Sequence, residues 1–480
     1  EMGMLPRMPA LKMASRHRQA DNAGAGRGAI PPATGTASGM NLRAGRRDKV
    51  CMHPSGGETV RIKARLRSFY LAALAAATLA SAASHAAGMP GCGDVAGDWD
   101  GWIAGCAVII DDTRETAAVR AKALRIRGLA YFRLGAYDNA IADYSRSIGL
   151  DAKNTATYVN RAGAYQRKHD FTRAMADYNL AAALDPQEAW VFFDRGKAYQ
   201  DMRDFAHARQ DFDEAIRLKP TVAVFFRRRG DLRKRQGDLA GAGADFDAAL
   251  RLDPQDVLAY LSRGRLNVDQ HNYDRAFADY DKALAAVRPN LPQLVALIYS
   301  ARAMAADDMG DLPRALREYD AVLKIQPDNA IYLQGRAFTA FAAGDFAAAA
   351  AGFGSATQKN PGMFYSVIMR YVARSRMGEH DTPELRRNAE ALERNPWPWP
   401  LIGLFLGEVT PDQLRTTMAQ AAGDEAGRRK CEGEFYLAEY DLLHRRRDEA
   451  AALMQAAAKS CSHDNFERNA AAAEAKRLAP

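Results

Sequence analysis

A chain of 480 residues exceeds most single domains, so it holds either several domains or a repeat array that extends without one central core. The formal net charge of +8 would suit a nucleic-acid-binding protein, but its distribution argues against that function. Residues 1–87 contain 13 Lys and Arg against 4 Asp and Glu, so residues 88–480 are nearly neutral. Because a nearly neutral body lacks a basic footprint, we expect no nucleic-acid partner.

The chain begins with residues 1–51, which are rich in Gly, Ala, Arg and Pro and show no apolar periodicity. Such a segment cannot bury enough apolar surface to offset the entropy lost on ordering. Two interpretations stay open for it: a disordered tail, or an artefact of the assigned gene start.

Residues 52–87 have the pattern of a secretory signal peptide. An apolar run over 69–80 is shorter than the roughly 20 residues of a membrane-spanning helix, and Ser84-His85-Ala86 offers a cleavage site after small residues. We therefore expect a periplasmic or secreted protein of a Gram-negative bacterium. An uncleaved anchor and a cytoplasmic protein are the alternatives. The basic residues before the apolar run are Arg61, Lys63, Arg65 and Arg67.

Four cysteines follow the signal, at Cys92, Cys106, Cys431 and Cys461. In an exported protein an even number of cysteines predicts disulfides, here two of them, with four unpaired thiols as the alternative.

A 34-residue period starts at Ala121 and repeats at Thr155, Ala189, Ala223 and Val257. Counting each of these as position 1, small residues occupy positions 8 and 20, and proline occupies position 32 in three repeats. The small residues predict that two helices approach each other closely. The aromatic residue at position 24 is expected to pack against the next repeat. Proline at position 32 ends the second helix. Position 24 is Tyr144, Tyr178, Phe212, Phe246 and Tyr280. This pattern resembles the tetratricopeptide repeat, a pair of antiparallel helices.

The register resumes at Ala296 and Ala330 after a short insertion. A degenerate helical pair is predicted over about 364–395, an extended segment over 395–400, and a final pair over about 430–461. With a shortened unit before Ala121, the sequence predicts an all-α solenoid of about nine units. Its array covers 88–361, and 362–480 holds degenerate repeats and C-terminal capping helices.

The geometry of a helical hairpin predicts which cysteines pair. Cys92 and Cys106 are equidistant from residue 99, and Cys431 and Cys461 are equidistant from residue 446. Residues at equal distances from the turn of an antiparallel hairpin face each other, so these pairs are expected to bond and to brace the terminal units.

Arginine recurs at position 7, and an arginine ladder could bind anions. Position 23, however, is acidic in all but the last of these repeats, and both positions are equidistant from the turn near position 15. We therefore predict an ion pair within each repeat, with Arg336 left over because it faces Gly352. The arginines are Arg127, Arg161, Arg195, Arg229, Arg263, Arg302 and Arg336, and the acidic residues are Asp143, Asp177, Asp211, Asp245, Asp279 and Glu318.

The concave face of the array, lined by the first helix of each repeat, is the expected contact surface. It grades from basic through the acidic Asp307 and Asp308 to apolar, which suits an extended peptide or the surface of another protein, unless these are simply solvated charges. The candidate partner-binding residues are Arg125, Arg133, Arg167, Lys197, Arg227, Lys234, Arg235, Arg265, Phe338 and Phe341.

The sequence contains no motif for a catalytic, cofactor or metal site, so we predict a non-enzymatic adaptor or scaffold without cofactors. An envelope enzyme with an unrecognised site is the competing class. The segments 404–410, 435–440 and 462–467 resemble the C-terminal end of periplasmic tetratricopeptide lipoproteins. That resemblance implies an adaptor for an envelope protease and its substrates, although Met89-Pro90-Gly91 before Cys92 is not a lipobox.

Overall fold

The computed structural model describes residues 91–479, apart from 94, 96, 289, 395–396 and 462–465. The leader, the predicted signal peptide and its cleavage site lie outside the described residues. Every regular element in the described part is an α-helix. In chain order these are α1 (Trp99–Asp111), α2 (Ala117–Arg133), α3 (Tyr137–Leu150), α4 (Thr155–Arg167), α5 (Phe171–Leu184), α6 (Ala189–Asp201), α7 (Phe205–Leu218), α8 (Ala223–Arg235), α9 (Leu239–Leu252), α10 (Val257–Asp269), α11 (Tyr273–Ala286), α12 (Pro292–Met309), α13 (Leu312–Ile325), α14 (Ala330–Ala343), α15 (Phe346–Lys359), α16 (Phe364–Ser375), α17 (Thr382–Ala389), α18 (Trp399–Leu406), α19 (Pro411–Ala419), α20 (Asp424–Leu443), α21 (Arg447–Ser460) and α22 (Phe466–Leu478).

The helices form two compact units, one up to residue 152 with α1–α3 and one from residue 153 with α4–α22. In each repeat, the first and second helices pack together and are joined by two or three residues. Short connections of this kind make neighbouring helices antiparallel. The predicted all-α repeat fold is therefore confirmed.

The turn at position 15 has left-handed backbone geometry in every repeat from 121 to 344. Glycine supplies it at four of the seven positions, whereas His169, Arg203 and His271 adopt it with φ between 57° and 63°. The next residue caps the second helix wherever it is aspartate, because its carboxylate accepts a hydrogen bond from the backbone N–H three residues later. These caps are Asp170, Asp204, Asp238, Asp311 and Asp345.

In the four regular repeats with glycine at position 8, the aromatic ring at position 24 of the same repeat lies directly over that glycine. A Cβ added to Gly264 would lie 2.4 Å from Cε1 of Tyr280, and one added to Gly230 would lie 2.7 Å from Cε1 of Phe246. The prediction that the ring packs on the next repeat holds for Tyr319, which lies against Gly335. The small residue at position 8 thus makes room for the ring as well as for the helix.

The Cys92–Cys106 disulfide is confirmed, with a Cα–Cα distance of 4.6 Å. The two residues do not face each other across a helical hairpin, however, because Cys92 lies in an irregular segment and α1 begins at Trp99. This segment crosses α1 at Gly105, where a Cβ would lie 2.0 Å from the carbonyl oxygen of Gly91. Glycine at position 105 is what lets the backbones meet.

The Cys431–Cys461 disulfide is also confirmed, with a Cα–Cα distance of 4.7 Å. Here the predicted geometry holds, because Cys431 lies in α20 and Cys461 caps the C-terminal end of α21.

The C-terminal helices share one continuous hydrophobic core with the repeat at 330–361. Between residues 395 and 430, where the sequence predicted no helix, the structure contains the short helices α18 and α19. The prediction of an extended segment over 395–400 is wrong for the residues that the structure describes there, because 397–398 form a turn and α18 begins at Trp399. Beyond the final predicted pair, α22 packs against α14, α20 and α21.

Candidate functional site

The arginine ladder is confirmed as a set of ion pairs within the repeats. The six arginines from Arg127 to Arg302 contact the carboxylate at position 23 of their own repeat at 2.6–2.9 Å. Each of these carboxylates is buried, so removing its arginine would take away its main counter-charge. Two of them have a second cation as well, because Arg233 pairs with Asp245 at 3.1 Å and Arg146 with Asp143 at 3.8 Å. The ladder is therefore part of the repeat core rather than an anion-binding site.

Several of these arginines in the second unit also contact the preceding repeat, which the sequence analysis missed. Arg229 pairs with Asp213 at 2.7 Å, and Arg263 pairs with Asp247 at 2.6 Å. Arg336, predicted to be left over, pairs with Asp320 at 2.6 Å. The sequence could have predicted these contacts, since position 25 is aspartate in the repeats that start at residues 189, 223, 257 and 296.

The basic residues of the concave face differ in their availability. Arg227 is 9 % exposed and pairs with Asp256 at 3.1 Å, and Lys234 pairs with Asp269 at 2.9 Å. The first pair ties α8 to the N-terminal cap of α10, and the second joins α8 to the C-terminal end of α10, so both cations are engaged within the protein.

The other predicted cations of the second unit are more accessible. Arg167 and Arg235 are exposed, and Arg265 is half-buried. Within the described residues, neither Arg235 nor Arg265 takes part in an ion pair. Lys197, also half-buried, pairs with Asp194 at 3.0 Å on the same helix. The accessible positive charge of this face is therefore smaller than the sequence indicated.

In the first unit, Arg125 and Arg133 lie on α2 and are half-buried. Burial lowers the pKa of both guanidinium groups, and the nearby Tyr144 opposes this shift. Both side chains are therefore partly buried near Tyr144 rather than fully exposed to solvent.

The acidic section of the face, at the C-terminal end of α12, is covered by α22. Asp307 accepts hydrogen bonds from the Thr339 hydroxyl and the Asn469 amide, each at 3.1 Å. Burial raises the pKa of the Asp307 carboxyl to about 6. Asp308 pairs with Arg468 at 2.6 Å and accepts a hydrogen bond from the Tyr273 hydroxyl at 2.9 Å.

The apolar section is covered as well, which corrects the expectation of an open contact surface. Phe338 is 2 % exposed and Phe341 is fully buried. The ring of Phe466 stacks on Phe338 with a centroid distance of 5.0 Å and an interplanar angle of 6°. Phe341 packs between Phe346 and Phe435. Neither side chain is available to a partner while α22 is in place.

The remaining polar contacts of α22 involve buried carboxylates. Arg376 pairs with Glu439 at 3.2 Å and with Glu474 at 3.0 Å. Glu467 accepts a hydrogen bond from the Tyr436 hydroxyl at 3.3 Å. Burial, together with the negative charge of the nearby Glu432, raises the pKa of the Glu467 carboxyl to about 8.

Glu432 itself is held by two donors. It accepts hydrogen bonds from the Tyr365 hydroxyl at 2.8 Å and from the Trp397 indole at 2.7 Å. Burial raises its pKa despite these donors. These groups are enclosed in the C-terminal core, where they join α16, α20 and α22.

Across the described part of the chain, no group of three or more His, Cys, Asp and Glu side chains is arranged to hold a metal ion. None of the helices described combines the length and the apolar character needed to cross a membrane.

Several solved structures match parts of the chain at low sequence identity. A tetratricopeptide repeat protein from Parabacteroides merdae is 20 % identical over 51 % of this chain and 93 % of its own, with a TM-score of 0.41. The PilF protein of Pseudomonas aeruginosa is 20 % identical over 44 % of this chain and 94 % of its own, with a TM-score of 0.38. YrrB, described as having an unusual peptide-binding site, is 18 % identical over 38 % of this chain and 91 % of its own, with a TM-score of 0.30.

Sequence profiles of the tetratricopeptide repeat match five stretches that together span half of the chain. The matched residues are 110–156, 155–188, 193–256, 227–290 and 300–363. These stretches coincide with the helix pairs described above. The chain therefore belongs to the tetratricopeptide-repeat family.

Proposed function

We propose that this protein is a non-enzymatic scaffold that binds other proteins or extended peptides on the concave face of the repeats between 155 and 290. The observation that carries the proposal is the contrast between two parts of the face. Near Asp307 and Phe338 the face is filled by α22, whereas Arg167 and Arg235 remain exposed to solvent.

The ion pairs of this region support a fixed binding wall. Arg227–Asp256 and Lys234–Asp269 join successive first helices and hold their spacing. The charge offered to a partner then comes from Arg235 and Arg265, which favours an acidic segment and accelerates its encounter with the groove.

A double charge reversal tests this role. We expect Arg235→Glu with Arg265→Glu to lose the partners that the wild-type protein retains in quantitative affinity purification. The matched control is Arg251→Glu, an exposed arginine on α9, a second helix away from the concave face. Equal retention by the double variant, or equal loss in the control, would contradict the proposal.

We further propose that the scaffold is exported. The signal-peptide pattern at 52–87 and the two cysteine pairs at disulfide geometry support this compartment, because disulfides persist outside the cytoplasm. Titration of thiols in native protein isolated from cells should find none that react without reduction. Four reactive thiols would favour the alternative, a cytoplasmic scaffold.

The C-terminal resemblance supports an adaptor that brings substrates to an envelope protease. Deletion of the gene should then slow the degradation of specific envelope proteins, and the Arg235→Glu, Arg265→Glu variant should fail to restore it. Unchanged degradation of every envelope protein after deletion would reject the protease connection and leave the binding proposal standing.

A further inference from the structure

The C-terminal helix α22 occupies the concave face like a bound ligand. We infer that α22 is a built-in occupant of a helix-binding groove between α12 and α14, and that an amphipathic helix of a partner protein with the same chemistry replaces it. This groove is separate from the face between 155 and 290, so the inference stands or falls independently of the proposed binding there.

Three neighbouring residues at the start of α22 make the recognition contacts. Phe466 stacks on Phe338, Arg468 pairs with Asp308 at 2.6 Å, and Asn469 donates to Asp307 at 3.1 Å. The helix thus offers an aromatic ring, a cation and an amide within four residues. The groove offers an aromatic ring and two carboxylates to bind them. This charge complementarity defines the partner: a helix with an aromatic residue followed two positions later by arginine.

The far end of α22 is also held by polar contacts. The Arg477 guanidinium donates to the backbone carbonyls of Phe341 and Ala342, which end α14. The C-terminal end of a helix carries partial negative charge, so a cation is favoured there. Glu474 pairs with Arg376 at 3.0 Å.

The apolar contribution of α22 is small compared with that of a core helix. The apolar side chains that it buries are Ala470 and Ala471 at its centre and Leu478 at its end, whereas α20 buries Phe435 and Tyr436 completely. Apolar stabilisation scales with the area removed from water, so the alanine face of α22 contributes little. The helix is held mainly by contacts at its two ends, and one substitution at an end should loosen it.

The test uses the full chain with Arg468→Glu, which places two carboxylates side by side. We expect the amides of α22 to exchange with deuterium at least tenfold faster, with no change in α21. A labelled peptide with the sequence of residues 466–478 should then bind the variant at least tenfold more tightly than the wild type. The matched control is Lys476→Glu, an exposed cation on the same helix.

A second substitution separates groove recognition from general damage. Adding Asp308→Arg to Arg468→Glu restores an opposite-charge pair and should return the exchange of α22 to the wild-type rate. Asn469→Ala should release the helix more weakly while the circular dichroism spectrum stays unchanged. If α20, α21 and α22 exchange faster together, or if the peptide binds the Arg468→Glu variant no better than the wild type, α22 is an integral part of the core and the inference is wrong.

Discussion

Replacing Glu467 by glutamine should stabilise the protein at neutral pH. Glu467 lies on α22 and is 5 % exposed, and its carboxylate has the Tyr436 hydroxyl as a donor at 3.3 Å. No cation forms an ion pair with it among the described residues, and the nearby Glu432 adds negative charge. Ionising this carboxyl inside the core is therefore unfavourable, and glutamine removes the charge while keeping the shape.

The magnitude follows from the pKa of the Glu467 carboxyl, which is raised from 4.5 to about 8 in the folded protein. The folded state binds this proton more tightly than the unfolded state. Its contribution to stability is thus fully present below pH 4.5 and is lost as the pH rises to about 8. A tenfold difference in proton affinity corresponds to about 1.4 kcal/mol, so the loss between pH 4.5 and pH 7 has an upper limit of roughly 3 kcal/mol.

Urea unfolding followed by circular dichroism at pH 5, 6, 7 and 8 measures this effect. The difference in unfolding free energy between Glu467→Gln and the wild type should be small at pH 5 and should grow in favour of the variant up to pH 8. The control is Glu449→Gln, an exposed glutamate on α21, whose difference should not change with pH. Parallel pH curves for Glu467→Gln and the wild type would refute the reasoning.

Three substitutions in the repeats have effects that thermal or urea unfolding can measure. Arg263→Met leaves the buried Asp279 without its partner and should cost about 3–5 kcal/mol; a loss below 1 kcal/mol would show that the ladder is dispensable. Gly264→Ala brings a Cβ to 2.4 Å from the Tyr280 ring and should cost about 1–3 kcal/mol, and an unchanged midpoint would contradict this packing. Arg203→Gly relieves a left-handed backbone with φ of 63° and should stabilise by about 1 kcal/mol, whereas a loss would mean that the side chain matters more than the backbone.

The 34-residue period predicted most of the fold, because each helix pair packs mainly on its neighbours and the same contacts recur every 34 residues. That regularity predicted the pairing of Arg127 with Asp143 and of the equivalent residues in five later repeats. It also contained the second contact of several arginines, with the aspartate at position 25 of the preceding repeat, as the Arg336–Asp320 pair shows.

The 34-residue period could not predict that α22 occupies the groove between α12 and α14. Arg468 meets Asp308 and Asn469 meets Asp307 across about 160 residues of sequence, where nearest-neighbour packing gives no guide. The acidic and apolar character of this section was predicted correctly, but its partner proved to be the end of the same chain. The Cys92–Cys106 pair is a related case, because the pairing was right although the hairpin that suggested it is not there.

Hydrogen exchange of the full chain, with and without a purified partner retained by the wild-type protein, tests the central claim most directly. The account predicts slower exchange in the first helices α4, α6, α8 and α10, which line the concave face between 155 and 290, with little change in the second helices α5, α7, α9 and α11. Slower exchange confined to α5, α7, α9 and α11 would place the partner on the opposite face and contradict the account.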